Sequence, residues 1–122
     1  MMHEEKKIKR LNREFEKEKQ GLQNTRVFWK GSIAKRWVTC GNPACGCKTD
    51  EDKRHGPYYW WTTKENGRTK AVLIPEEFLN DAESYLKNAR ELKKKIQRLS
   101  QLSCEIVEIK LKLAQKRKPE KP

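Results

Sequence analysis

Three cysteines and one histidine lie within sixteen residues near the middle of this chain. Cys40, Cys45, Cys47 and His55 form the pattern C-x4-C-x-C-x7-H, and the Gly and Pro residues between them favour tight turns. Zinc in closed structural sites binds four thiolate or imidazole ligands in a tetrahedron. Cys104, the remaining cysteine, lies far along the chain in a helical pattern. The spacing therefore predicts a structural zinc ion held by the three clustered cysteines and the histidine.

Alternatives to a zinc site at the cysteine cluster remain open. A disulfide framework fits poorly, because three clustered cysteines are an odd number and Cys45 and Cys47 are too close for an easy bridge. A catalytic cysteine would need one activated thiol beside a base, which a trio of cysteines does not indicate. The fourth ligand is also open, since Asp50, Asp52 or water could replace His55 in the coordination sphere.

Composition explains why such a chain would need a metal. At 122 residues, with 34% hydrophobic and 38% charged side chains, it can build only one small core with extensions. A bound metal and a helix interface are the usual substitutes for a large core. No apolar run approaches the roughly 18–20 residues that cross a bilayer, and the first residues run straight into charge. We therefore expect a cytoplasmic protein without a membrane span or a secretory signal.

The middle of the chain, residues 26–75, predicts a three-stranded antiparallel sheet. β-Branched and aromatic residues begin a first strand at Ile33, and a second strand runs over 58–63. Asn66-Gly67 is a strong hairpin signal that leads into a third strand. The cysteine loop joins the first two strands, so the sheet and the zinc site are expected to form one domain.

Helices are predicted on both sides of the sheet, which makes the fold class α+β. Residues 1–22 form an amphipathic helix whose narrow apolar stripe needs a partner helix. Residues 76–115 form one long helix, because Pro75 precedes acidic residues and a seven-residue apolar repeat follows without Gly or Pro. Residues 116–122 form a basic tail.

The seven-residue repeat predicts that the long helix is coiled-coil-like and joins two copies of the chain. The N-terminal helix could cover the first part of the apolar seam, and we expect the second half to stay uncovered in a single chain. Self-association is therefore expected, with an extended monomer as the alternative. The seam residues assigned to this homodimer contact are Leu92, Ile96, Leu99, Ile106 and Leu113.

Three segments of the chain, 31–33, 40–47 and 55–59, carry Gly-Ser-Ile, Cys-Gly-Asn-Pro-Ala-Cys-Gly-Cys and His-Gly-Pro-Tyr-Tyr. This pattern, followed by a hairpin, a proline and a charged helix, resembles a family of small prokaryotic proteins catalogued as a domain of unknown function. The resemblance covers about residues 31–100. It implies that the three cysteines and His55 act as one unit, and it implies no established activity.

Charge and aromatic content favour nucleic acid as the partner. Basic residues outnumber acidic ones by 29 to 17, a net charge of +12, and the excess is densest around the cysteine segment. On the second strand Tyr58 shares one face with Trp60, and Tyr59 shares the other with Trp61. One face must pack on the helices, and aromatic rings on the other could stack on bases. The residues assigned to DNA or RNA binding are Lys35, Arg36, Lys53, Arg54, Tyr59, Trp61, Lys64, Arg68 and Lys70.

Two alternatives to nucleic-acid binding remain. The aromatic residues could form the core of a protein poor in aliphatic side chains, with the basic residues as a solvated surface. The long helix could instead dock on a larger protein, as in an adaptor or inhibitor from a virus or mobile element. An enzyme is not expected, because four zinc ligands leave no position for water, and neither paired carboxylates nor a phosphate-binding loop accompany them.

Overall fold

A computed structural model describes residues 2–117 of the chain. It contains an N-terminal helix, a three-stranded antiparallel sheet and a long C-terminal helix, which confirms the predicted α+β fold. The elements are α1 Met2–Gln20, β1 Ser32–Val38, β2 His55–Glu65, β3 Arg68–Ile74 and α2 Leu79–Arg117. The predicted basic tail lies outside the described residues from position 118 onward, and its first two residues end α2.

The sheet has the strand order β1-β2-β3, with β2 in the centre. Asn66 and Gly67 form the turn between β2 and β3, with φ of 52° and 78°. Two successive residues with positive φ are what a type I′ hairpin turn requires, and its twist matches that of antiparallel strands. The predicted hairpin is therefore confirmed. β2 is longer than the predicted 58–63, because it begins at His55, which pairs with Val38.

Residues 27–89 form one compact unit, here called the sheet unit. Its buried core residues are Trp61, Ile74, Ala82 and Leu86. The Trp29 ring stacks on the Trp61 ring, with centroids 4.2 Å apart and 17° between the planes. The Trp61 indole N–H donates a hydrogen bond to the Lys30 carbonyl at 2.9 Å, so burial leaves this polar group satisfied. The core face of the sheet therefore packs on the first turns of α2.

Residues 2–26 and 90–117 form a second compact unit, here called the helical unit. Its contact between α1 and α2 consists of Leu11, Phe15, Leu102, Ile106 and Ile109. Leu11 and Leu102 are almost fully buried, so one apolar stripe of each helix covers the other. None of the described helices is both long and apolar enough to cross a membrane.

Two ion pairs show that the helices of this unit run antiparallel. Glu14 of α1 lies 3.7 Å from Arg98, and Glu4, earlier in α1, lies 3.8 Å from Lys116, later in α2. The chain at the end of α1 is also bonded to α2, because the Lys95 ammonium donates a hydrogen bond to the Gly21 carbonyl at 3.2 Å.

The expectation that the second half of the seam stays uncovered in a single chain is wrong. Ile106 packs against α1, and Ile106 and Leu113 are each only 8% exposed. Leu92 and Leu99 are half-buried, whereas Ile96 is 53% exposed. The reason is that α1 lies along this half of α2, so its stripe covers residues that were assigned to a second copy of the chain.

Candidate metal centre and adjoining sheet face

The four predicted ligands come from the loop between β1 and β2 and from the first residue of β2. Cys40 follows the end of β1, Cys45 and Cys47 flank the first residue of a 3-10 turn, and His55 begins β2. The backbone folds back at Asn42, whose carbonyl accepts a hydrogen bond from the Cys45 N–H at 3.1 Å. This turn returns the second and third cysteines towards the first, so the sequence between them shapes the site.

The distances between the ligand atoms fit a tetrahedral metal site. Zinc–sulfur bonds of about 2.3 Å and zinc–nitrogen bonds of about 2.0 Å place neighbouring ligand atoms about 3.5–3.8 Å apart in a tetrahedron. The Cys40 and Cys47 Sγ atoms are 3.6 Å apart, and Cys45 Sγ is 3.4 Å from His55 Nε2. All four ligand atoms lie within 4.8 Å of one another. A disulfide would bring two sulfurs to about 2.05 Å, and all four cysteines are free.

The position of Asp50 favours His55 as the fourth ligand. Asp50 begins a 3-10 turn, and its Oδ1 accepts a hydrogen bond from the Asp52 N–H at 3.0 Å. This carboxylate therefore caps the turn, whereas the His55 ring lies within hydrogen-bond distance of Cys45. The four residues form a Cys3His group that could hold a metal ion.

The electrostatics of the cluster explain why a cation would stabilise it. Hydrogen bonds from the Asn42 backbone and then from the Cys45 and Cys47 thiols lower the pKa of Cys40 to about 6. The Cys47 backbone N–H lowers the pKa of Cys45, but contacts with the sulfurs of Cys47 and Cys40 outweigh it, and the net pKa of Cys45 is raised. Cys40 therefore forms a thiolate readily, and the neighbouring sulfurs disfavour ionisation of Cys45. A bound divalent cation removes this opposition and deprotonates its thiol ligands.

A register shift in β2 decides which way His55 points. Arg36 pairs with Tyr58 and Val38 pairs with His55, so two steps along β1 correspond to three along β2. Strict alternation from Tyr58 would turn His55 to the other side of the sheet, and the extra residue of this bulge cancels that turn. Gly56 allows the bulge, because its φ is +128° and a Cβ there would lie 2.9 Å from the Arg36 carbonyl oxygen.

His55 consequently joins the face of the sheet opposite the core, here called the outer face. Its large apolar members are Val38, Tyr58, Trp60 and Leu73, of which all but Trp60 are 39–48% exposed. Together with Cys40 and His55 they line an open pocket of about 420 Å³. The pocket therefore lies directly beside the candidate metal centre and shares two residues with it.

The residues predicted to bind nucleic acid are divided between the two faces. The register places Arg36 and Lys64 on the outer face, in line with Tyr58 and Trp60. Lys35, Arg68 and Lys70 belong to the core side of the sheet, where the Lys70 ammonium lies 5.9 Å from the Trp61 ring centroid. Lys53 and Arg54 precede β2, and Arg54 is 3.8 Å from Glu51.

Tyr59 and Trp61 do not suit the base-stacking role assigned to them. Trp61 is only 6% exposed in the core, and Tyr59 packs against that core. The aromatic residues on the outer face are Tyr58 and Trp60, which share a face as expected but were not among the predicted site residues. His55 offered a signal for choosing between the faces, because a candidate ligand at the start of β2 marks the side that adjoins the candidate metal centre. The bulge hid this signal, since strict alternation places His55 on the wrong side.

Comparison with known proteins places the chain in one family. Residues 5–84 match the family described as Domain of unknown function (DUF6788), and the chain belongs to it. The match begins earlier and ends sooner than the resemblance over about 31–100 suggested, so it includes most of α1, the whole sheet and the start of α2. No curated protein and no solved structure matches the chain.

Proposed function

We propose that this protein is a metal-stabilised nucleic-acid-binding protein that carries out no chemistry. The observation that carries the proposal is the junction of a Cys3His group with a solvent-exposed sheet face that bears Arg36, Tyr58 and Lys64. A metal at this junction would fix the loop and the first residue of β2, and so hold that face rigid. A positively charged, partly aromatic surface is the kind that binds a polyanion with stacking bases.

The metal that suits the group best is zinc. Three thiolates and one imidazole at tetrahedral spacing are a common structural zinc set, and all four positions are taken by the protein. A closed set leaves no position for a water or substrate, which supports a structural role over a catalytic one. Elemental analysis of protein purified without added metal is expected to give one zinc per chain. A metal-free protein with the same melting temperature would contradict the proposal.

The charge of the strands supports a nucleic-acid partner. The three strands carry the basic residues Lys35, Arg36, Lys64, Arg68 and Lys70 and one acidic residue, Glu65. Phosphate contacts by such residues position a nucleic acid and make its binding fall steeply with salt. We expect binding of an oligonucleotide at low salt that weakens as the salt concentration rises.

Arg36 and Lys35 provide a matched test, because they are adjacent, carry the same charge and point to opposite faces. Arg36→Glu is expected to weaken oligonucleotide binding about tenfold or more, as loss and reversal of a phosphate contact would. Lys35→Glu changes the net charge equally and is expected to have a clearly smaller effect. Fluorescence anisotropy at several salt concentrations measures both. Equal effects of the two variants, or no binding by the native chain at low salt, would contradict the proposal.

The helical unit supports a second candidate function, docking to another protein, for which a second copy of the chain is the simplest case. Ile96, Val107 and Leu111 of α2 are 53%, 61% and 55% exposed, and their spacing places them near one side of the helix. This surface shares Ile96 with the seam predicted for the homodimer, whereas Val107 and Leu111 were not assigned to that seam. Sedimentation over a range of concentrations tests it: an increase in mass that Val107→Gln and Leu111→Gln abolish supports docking between copies, and a constant monomer mass rejects it.

A further inference from the structure

We infer that the pocket on the outer face takes one unpaired nucleobase, so that the nucleic acid bound there is single-stranded. The inference rests on the proposed function and names the class of nucleic acid that the same face would select. It depends on the apolar walls of the pocket, on the basic residues elsewhere on the same face, and on the shape of the pocket.

The walls of the pocket match the faces of a flat heteroaromatic ring. Val38 and Leu73 provide aliphatic contacts, and Tyr58 and Trp60 provide aromatic rings on which a base could stack. Tyr58 is 41% and Leu73 48% exposed, so these apolar groups are open to a ligand.

The basic residues on the same face as the pocket favour an anionic partner over a purely apolar one. Arg36 lies directly opposite Tyr58 in the sheet, and Lys64 lies further along β2 on the same face. A backbone that follows β2 past Tyr58 and Trp60 would place phosphates near both side chains. Charge complementarity therefore favours a nucleotide chain as the ligand of the pocket. An apolar peptide would leave Arg36 and Lys64 without partners.

The shape of the pocket decides between single-stranded and duplex nucleic acid. It is an open depression of about 420 Å³, and its lining includes Cys40 and His55 of the Cys3His group. In a duplex the faces of the bases are stacked on one another, and only their edges reach a protein surface. A base can enter a depression with aromatic walls only when its own faces are free. The pocket therefore favours a single strand.

The test compares one labelled oligonucleotide in single-stranded form with the same sequence annealed to its complement. At low salt the native protein is expected to bind the single strand about tenfold more tightly than the duplex, since base–aromatic stacking contributes about 1–3 kcal/mol per base. Tyr58→Leu is expected to reduce single-strand binding towards the duplex level and to leave duplex binding unchanged. Tyr58→Phe, which keeps the ring, is expected to restore the preference.

Trp37→Leu is the matched control, because Trp37 is 50% exposed and alternates with Arg36, which places it away from the outer face. It is expected to leave the single-strand preference intact, and thermal melting of each variant checks that the fold is kept. Equal or tighter binding of the duplex would overturn the base pocket and leave nucleic-acid binding standing. Loss of the preference in Trp37→Leu but not in Tyr58→Leu would also overturn it. No binding of either form would overturn both proposals.

Discussion

The sheet unit and the helical unit bury their interiors by different means. In the helical unit, leucine, isoleucine and phenylalanine recur along one stripe of each helix, and the two stripes cover each other. In the sheet unit, the core lies between one face of the sheet and the first turns of α2, and the loop at 39–54 lies apart from it. That loop contains no Val, Leu, Ile, Met or aromatic residue, and its one buried side chain is Cys47.

This contrast indicates where a bound metal would contribute most to stability. Antiparallel helices with matching apolar stripes stabilise each other through burial alone. A loop of sixteen residues without large apolar side chains has little such contribution to offset the entropy of ordering it. A metal bound by the Cys3His group would supply the stabilisation that this loop lacks. The two units should therefore respond differently to the same perturbation.

Metal removal should give the largest difference between the units. Structural zinc contributes on the order of 10 kcal/mol to small domains that depend on it. Chelation, or Cys47→Ser, is therefore expected to abolish fixed packing of the loop and of β1 and β2, and to leave α1 and the second half of α2 helical. Hydrogen exchange resolved along the chain measures this directly. Amides of 39–65 should lose protection while those of 100–110 keep it.

Cys104→Ser is the control for that experiment. Cys104 is exposed on α2 and lies outside the ligand set, so its replacement should change neither metal content nor exchange. The contrast between the units fails if the metal-free protein keeps protection in 39–65. It also fails if both units lose protection together, because the helical unit would then depend on the metal as well.

The structural features that the sequence could predict are those that depend on neighbouring residues. The hairpin and the helices depend on local signals, such as Asn66-Gly67, and these predictions agree with the structure. The cysteine spacing is also a local signal, and the residues that it singled out form a group that could hold a metal ion. Alternation along β2 separates Tyr58 and Trp60 from Tyr59 and Trp61 but does not reveal which pair packs on α2, and Tyr59 and Trp61, the pair predicted to bind nucleic acid, lie on the core side.

The pairing of α1 with the second half of α2 could not be predicted for a different reason. A seven-residue repeat indicates that a helix has an apolar stripe, but it does not indicate which other helix packs against that stripe. Leu11 and Phe15 could have packed on either half of the long helix, or Ile106 on a second copy. The choice depends on the path of the whole chain between α1 and α2, which contains the sheet.

Removal of one apolar side chain from the helical unit should give the next largest effect. Leu102 is 0% exposed between the helices, and Leu102→Ala would leave a cavity that costs about 3 kcal/mol. Leu111→Ala removes the same group from a position that is 55% exposed, and should cost less than about 0.5 kcal/mol. Urea unfolding followed by circular dichroism at 222 nm measures both. Equal costs would show that α1 does not cover α2 as described.

A glycine in the sheet unit should give a smaller effect. Gly31 has a φ of +121°, and a Cβ there would meet the Trp61 indole and lie 2.7 Å from the Thr62 carbonyl oxygen. Gly31→Ala is therefore expected to destabilise the sheet unit by about 2 kcal/mol. Gly41→Ala is the control, since a Cβ at Gly41 has no atom within 4 Å. Thermal melting followed by tryptophan fluorescence measures the pair, and a Gly31→Ala melting point equal to that of Gly41→Ala would contradict the tight contact.

The smallest effect should come from the ion pair between Glu14 and Arg98. Both side chains are about two-fifths exposed, at 43% and 44%, so solvent screens the pair and its removal should cost less than about 1 kcal/mol. The pair therefore specifies which way α1 lies along α2 more than it stabilises the contact. A double-mutant cycle with Glu14→Gln and Arg98→Gln measures the coupling, and the pair Glu16 and Lys19, within α1 alone, is the reference. A coupling that survives 1 M salt or exceeds the cavity cost at Leu102 would mean that charge, and not the apolar stripe, holds the helical unit together.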